Sequence, residues 1–436
     1  MYVCLRLAIT PLWEFLSHRD TLITKLPSTR MVLHSPTRSK FLSTCALTMY
    51  ATTLLMATMA VLVVLLSPST ATKIPAPKPH GRDRTVAHQR SWVVQTERRD
   101  SKLAISLFIP LLEKHCTKYC EHAYMPRDTS KAANAQFFGN ENADVFESLT
   151  FDSCCAGSTP IETREMKVLV LEPGANVSRM IYNQLARQLA SLDIAVVTID
   201  RPHDAPVVEF EDSVGVPSTG NRMIKNEGGL NLDAFSVSKE WNQTLMDAFH
   251  SRKNEIHFVL DQISEPGFLE KHFPDFNFTS KLDTSSVHLV GHGFGGGVAT
   301  YAAALDDRFQ WAINLSGSIP TITQDAYNYI AFFGREGYTR KDDPNWQASI
   351  KHMAGRFAEW TFESAEQMDY TDLPLVASIA GGNVRAKGTG SIGVWAFHCT
   401  SCFLEAYVRD TLQGEGGELT KCLQIPQCSK MRPYSG

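Results

Sequence analysis

The 436-residue chain lacks the basic excess that a nucleic-acid surface needs: 42 Lys and Arg stand against 46 Asp and Glu, a formal net charge of −4. The deficit sits in the larger part. Residues 1–100 hold 13 Lys and Arg against 5 acidic residues, and the remaining 336 hold 29 against 41. No nucleic-acid partner is expected. No internal repeat is visible, so solenoids and propellers are set aside. Gly295-Gly296-Gly297 lacks the Lys-Ser/Thr of a phosphate loop, and its spacing does not fit a dinucleotide fingerprint. Cys399-Thr-Ser-Cys402 has His398 beside it but no evident fourth zinc ligand, and no thioredoxin-like context surrounds it. Neither a cofactor nor a metal is expected.

Charge is missing altogether between Lys40 and Lys73, and Leu54 to Leu66 is almost purely apolar. Arg38 and Lys40 precede this run, and Ser69-Thr70-Ala71 follows it. A positive flank, an apolar run and small residues describe a secretory signal, with cleavage expected near Ala71 and the protein secreted. Uncleaved, residues 46–66 are long enough to anchor the chain, which is the alternative and the one membrane contact expected. The long stretch ahead of the run leaves two readings open: a signal-anchor starting at Met1, or a start at Met31 or Met49. The expected organisation is a leader over 1–72, a Pro-rich basic linker over 73–101, and one folded domain over 102–436.

The contents beyond the leader fit that compartment. Eight cysteines remain there: Cys116, Cys120, Cys154, Cys155, Cys399, Cys402, Cys422 and Cys428. An even number in a secreted chain reads as disulfides. Cys154 and Cys155 are expected to pair with Cys116 and Cys120, and the C-x-x-C pair with Cys422 and Cys428; the connectivity stays open. Of four sequons, Asn176, Asn242 and Asn277 are expected glycan sites, while Asn314 falls in an expected buried strand.

From residue 102 short apolar runs alternate with helical patterns. Leu103 to Ile109 reads as a first strand. Lys167–Glu172, Ile194–Asp200, Val287–Gly291, Ala312–Ser316 and Ile330–Phe333 read as further strands. Met180–Leu192, Phe249–Ile263 and Ala299–Leu305 read as helices. The pattern implies an α/β fold with a mostly parallel sheet covered by helices on both faces. The most informative segment is Val287-His-Leu-Val-Gly-His-Gly-Phe-Gly-Gly-Gly297, a strand running through a glycine-rich turn into a helix. That is the context of the nucleophile elbow G-x-S-x-G, but its centre is Gly293. His292, next to it, reads as structural rather than as a stray base. His203 and Asp204, at a strand end, are either a ligand contact or a solvated loop. Ser285, Ser286 and Ser318 lack the elbow's strained context.

Several segments occur in the order and spacing of one family: Tyr124-Met-Pro126, Pro173-Gly174 with Ser178-Arg179, Val196-Val-Thr-Ile-Asp200, Phe258-Val-Leu-Asp-Gln262 and Tyr370-Thr-Asp-Leu-Pro374. With them the chain, from about Arg90 to Leu423, resembles the secreted fungal branch of the platelet-activating-factor acetylhydrolase-like α/β-hydrolases. The resemblance implies an α/β-hydrolase fold and a lipid or acyl-ester ligand. It also implies catalytic positions. The serine would fall at Gly293. The acid, in an Asn-Leu-Asp-Gly context, would fall at Ser316 within Asn314-Leu-Ser-Gly317. The histidine would fall at Gln367, three residues before Tyr370, and Ala365, Glu366, Met368 and Asp369 around it are not histidine. The oxyanion donors would be the backbone N–H groups of Phe294 and Ala175, with Gly174 in the same loop. Glu172, where the family has a small polar residue, would disfavour an oxyanion. The reading is therefore an esterase scaffold with a degenerate triad. The alternatives are an active carboxylic-ester hydrolase or phospholipase with a non-standard nucleophile, and a structural extracellular protein.

Overall fold

In the computed structural model the described residues are 72–75, 83–95, 101–140, 144–202, 204–210, 223–226, 237, 240–381 and 384–435. The expected leader and anchor, apart from Thr72, lie outside them. Among the described residues no helix is long and apolar enough to cross a membrane.

Apolar runs with β-branched residues build the middle of one sheet. Besides the two-residue Thr72–Lys73, its strands are β1 (Arg84–Gln95), β2 (Ser101–Leu112), β3 (Cys116–Ala123), β4 (Leu149–Gly157), β5 (Lys167–Glu172), β6 (Ile194–Asp200), β7 (Val287–His292), β8 (Phe309–Leu315), β9 (Tyr329–Arg335), β10 (Phe357–Phe362) and β11 (Met431–Pro433). The order from β1 is β1-β2-β6-β5-β7-β8-β9-β10-β11, with β4 beside β1 and β3 beside β4. Strands β6, β5, β7, β8, β9 and β10 run parallel to one another. Strand β2 is antiparallel to β1 and β6, and β11 is antiparallel to β10. The strand order reverses between β5 and β7, the point at which open α/β sheets form a crevice beyond the strands' carboxyl ends.

Alternation along the strands feeds two cores. Leu169 and Leu171 of β5 face one cluster with Leu185, Phe397 and Phe403, while Val168 and Val170 face the other with Phe249, Ile256 and Val298. Helices α1 (Arg127–Phe138), α2 (Asn183–Ala190), α5 (Leu373–Ala380) and α6 (Val394–Val408) serve the first face. Helices α3 (Gln243–Ile263) and α4 (Phe294–Leu305) serve the second. The sheet with helices on both faces is the expected α/β-hydrolase architecture.

The linker reading needs correction over part of its range. Residues 84–95 are a full strand, paired residue for residue with β2 from Arg84↔Leu112 to Gln95↔Ser101. Its inward residues Val86, Ala87 and Val93 are too sparse to advertise a strand, and the pairing partner supplies the rest of its stabilisation. The strand read as first is thus preceded in this sheet by Arg84–Gln95 and by the short Thr72–Lys73, which pairs with β4.

All eight cysteines are paired: Cys116–Cys154, Cys120–Cys155, Cys399–Cys428 and Cys402–Cys422. The loops closed span 38, 35, 29 and 20 residues. By chain entropy each bridge is worth about 3–4 kcal/mol. The first two hold β3 on β4. Strand β3 is mostly exposed and has little apolar burial of its own. The other two tie α6 to α7 (Glu418–Leu423) and to the turn before β11.

Candidate functional site

The turn after β7 has the backbone of a nucleophile elbow. Gly293 sits at φ 54°, ψ −125° as the residue preceding α4. Its N–H donates to Leu315 O (2.9 Å), and its carbonyl accepts from Gly297 N–H (3.2 Å), the first bond of the helix. Close approach demands the flanking glycines. A Cβ at Gly291 would collide with Gly295 O, one at Gly295 with Pro173 O, and one at Gly317 with Gly293 O. Gly293 differs: its Cβ direction meets only Gln367 Nε2 at 3.1 Å and Gly174 Cα at 3.8 Å.

The three positions expected to carry catalytic side chains meet here. Ser316 follows β8 at φ 58°, a left-handed conformation that a non-glycine residue adopts only under constraint. The constraint is Asn314, whose Oδ1 accepts from Gly317 N–H (2.7 Å) and whose Nδ2 donates to Gly317 O and Thr300 Oγ1 (3.0 Å each). Ser316 Oγ donates to Gln367 Oε1 at 3.1 Å. The same oxygen accepts from Arg335 Nε, at the end of β9, at 2.8 Å. Gln367, 2% exposed, opens a single helical turn, Gln367–Tyr370, that leads into α5. Gly293 is buried with them.

His292 is committed to structure on both ring nitrogens. Nε2 lies 2.8 Å from the backbone carbonyl of Gln367, which can only accept, so Nε2 carries the proton. Nδ1 then accepts from Tyr182 OH (2.7 Å), and that hydroxyl accepts from Gly174 N–H (3.1 Å). Burial pushes the imidazole pKa down to about 4, against the Gln367 hydrogen bond. Of the residues expected to supply an oxyanion loop, Gly174 has its N–H engaged. The N–H of Phe294 belongs to the first turn of α4, whose donors have no partner within the helix. Ala175 is buried in the adjoining loop.

Glu172 is not the bare carboxylate expected. It is fully buried, and its pKa is raised by burial, opposed by two arginines. Arg201 lies at 2.7 Å and Arg252 at 3.1 Å. Arg252 also donates to Pro173 O (2.7 Å) and to Asp204 Oδ2 (2.6 Å), and Arg201 pairs with Glu255 (2.6 Å). Asp204 is thereby a buried ion-pair member rather than part of a solvated loop; His203 lies outside the described residues. Arg252 stands over the Phe294 ring at 5.0 Å, and Trp241 stacks on that same ring at 5.9 Å while meeting Phe249 edge-on at 4.9 Å. This cluster, which fixes the loop from Pro173 to Gly174, was not legible in the sequence, because its members are up to 83 residues apart.

The family segments have clear local roles. Asp372 accepts from Tyr124 OH (2.7 Å) and from the first-turn N–H groups of Gln184 (2.6 Å) and Leu185 (3.1 Å), filling the N-terminus of α2. Arg179 and Asp200 form a buried pair at 2.7 Å. The other serines considered are elsewhere. Ser285 and Ser286 precede β7, at the opposite end of that strand from the elbow, and Ser318 Oγ donates to Asp343 Oδ2 (2.9 Å). No group of three metal-ligating side chains occurs among the described residues. Asn242 and Asn277 are exposed, Asn176 is half-buried at φ 53°, and Asn314 is 1% exposed.

Comparisons with known proteins agree with this architecture. A ferulic acid esterase from Streptomyces cinnamoneus superposes with TM-score 0.62 over 84% of this chain and 100% of its own, at 20% identity, a likeness of fold. A "Probable 1-alkyl-2-acetylglycerophosphocholine esterase" of Arthroderma benhamiae is 24% identical over 345 residues, 72% of this chain and 79% of the relative. The platelet-activating factor acetylhydrolase of Cavia porcellus is 25% identical over 183 residues, 40% of each chain. Residues 98–332, more than half of the chain, match the family model for platelet-activating factor acetylhydrolase, isoform II, and the chain belongs to that family.

Proposed function

We propose that this protein is a catalytically impaired member of its family: a secreted, glycosylated ester-hydrolase scaffold in which Gly293, Ser316 and Gln367 stand at the nucleophile, acid and base positions. Its remaining role is to bind a lipid or acyl-ester-like ligand. The observation that carries this reading is the convergence of those three residues on one strained elbow. None of them can act as a nucleophile–base–acid set. Gly293 has no side chain, the Gln367 amide does not take a proton near neutral pH, and Ser316 spends its hydroxyl proton on Gln367. His292 cannot step in, since Nε2–H and Nδ1 are both engaged.

The size of the loss decides what this means. Removing the nucleophile or base of a serine triad costs about 10⁶ in kcat, leaving roughly 10³–10⁴ over water. From an ordinary kcat of about 10 s⁻¹ this leaves on the order of 10⁻⁵ s⁻¹. Purified protein should hydrolyse short acyl esters, 2-acetyl glycerophosphocholine lipids included, no faster than that. Turnover within tenfold of an ordinary esterase would overturn the proposal in favour of an unrecognised nucleophile.

A further inference from the structure

We infer that the position vacated by the nucleophile is a binding site for a free carboxylate, the ionised form of an organic acid. The inference rests on the reading that no nucleophile operates at Gly293, and it specifies what that site takes instead.

Room is the first observation. The Cβ direction of Gly293 meets two atoms, Gln367 Nε2 at 3.1 Å and Gly174 Cα at 3.8 Å, whereas backbone or Asn314 closes that direction at Gly291, Gly295, Gly296, Gly297 and Gly317. The second is an unmet donor. Gln367 Oε1 is held by Ser316 Oγ (3.1 Å) and Arg335 Nε (2.8 Å), which fixes the amide and turns Nε2 toward Gly293. Nε2 has two protons. One faces Ser316 O at a long 3.4 Å. The other faces His292 Nε2 at 3.3 Å, but that nitrogen donates its own proton to Gln367 O at 2.8 Å and cannot accept. One N–H of a side chain 2% exposed therefore lacks an acceptor among the described residues. A buried unmet donor costs about 1–3 kcal/mol, which an anion at Gly293 would recover.

The remaining donors suit a carboxylate. One oxygen takes the N–H of Phe294, at the head of a 12-residue helix whose preceding residue, Gly293, lies against Gly174. The other reaches Gln367 Nε2, whose amide is polarised by the Arg335 guanidinium on its oxygen. Hydrogen bonds to an ionised acceptor are roughly twice as strong as neutral ones. A neutral ester has one carbonyl oxygen of partial charge and an alkoxy oxygen that accepts poorly, so it fits less well.

The test titrates octanoate and methyl octanoate into the purified protein at neutral pH by calorimetry, with methyl octanoate also followed for hydrolysis. Octanoate should fill one site, and methyl octanoate should bind at least about tenfold more weakly. Gly293→Ala fills the vacated position, and Gln367→Met removes the donor while keeping length. Each should weaken octanoate at least about tenfold in protein whose melting shows it folded. Equal binding of acid and ester, or folded variants that keep octanoate affinity, would overturn the inference. Hydrolysis of methyl octanoate at an ordinary esterase rate would instead overturn the loss of the triad. Absent hydrolysis with no octanoate preference defeats the carboxylate site alone.

Discussion

The elbow after β7 and the two serine–histidine contacts in the antiparallel part of the sheet are mirror images in what they lack. The elbow has the strained turn and a helix N-terminus, but no hydroxyl and no free imidazole. Elsewhere the side chains occur without the turn. Ser91 Oγ lies 2.8 Å from His272 Nδ1, and Ser153 Oγ lies 2.8 Å from His122 Nε2. Ser91 is inside β1 opposite Ile105, and Ser153 is inside β4 opposite Cys120, each in an extended ladder that offers no first-turn donors to an oxyanion. Burial lowers the pKa of both histidines, His272 to about 4. A serine beside a histidine is thus common packing chemistry. Catalysis requires it at a turn that also presents backbone donors.

The most drastic way to break this contrast is to put the side chains back on the turn. Gly293→Ser, Ser316→Asp and Gln367→His together should raise ester turnover over wild type by on the order of 10². Arg335 limits the gain. Its guanidinium is within 2.8 Å of the Gln367 amide, so it would pair with Asp at 316 and disfavour an imidazolium at 367. Adding Arg335→Met should improve turnover by a further factor of about 10. A quadruple variant no better than the triple would show that Arg335 does not restrain the site.

Backbone changes come next. Gly295→Ala drives a Cβ into Pro173 O and should cost about 3 kcal/mol or more, read by denaturant unfolding. Gly293→Ala meets only the Gln367 amide and a positive φ, and should cost about 1–2 kcal/mol. Equal losses would mean that the vacated position is not open.

The smallest effect concerns pH. His288, 3% exposed and stacked on Trp311, has no hydrogen-bond partner on either nitrogen among the described residues, and burial, helped by Lys167, lowers its pKa to about 3. A lowered folded pKa means that the stability it carries is complete above the unfolded value near 6.5 and is lost as pH falls toward 3. Relative to His288→Phe, wild type should therefore lose up to about 1.4 kcal/mol per pH unit in that window. Parallel stability profiles would show that His288 takes no part.

How much of this could be read from the sequence varies with the physics of each element. Lys167–Glu172 and Ile194–Asp200 were legible to the residue because strands buried on both faces are apolar throughout. Strands β3 and β10 were not, because the first relies on disulfides and the second, Phe-Ala-Glu-Trp-Thr-Phe, reads as an irregular mix. At the site, Gly293 declared itself through local glycine spacing. Gln367 was placed by the Tyr370–Pro374 segment, and it does face Gly293. Arg335, 32 residues from Gln367, and the arginine pair on Glu172 carry no local signal, since each is defined only by contacts across the fold.

Covalent labelling reads out whether the elbow is intact in backbone and empty of nucleophile. Native protein treated with a serine-directed fluorophosphonate should show no mass adduct, while the Gly293→Ser, Ser316→Asp, Gln367→His, Arg335→Met variant should take one adduct at position 293. A stoichiometric adduct on wild type, mapped to Ser91, Ser153, Ser318 or any other serine, would show that an activated nucleophile survives outside the elbow.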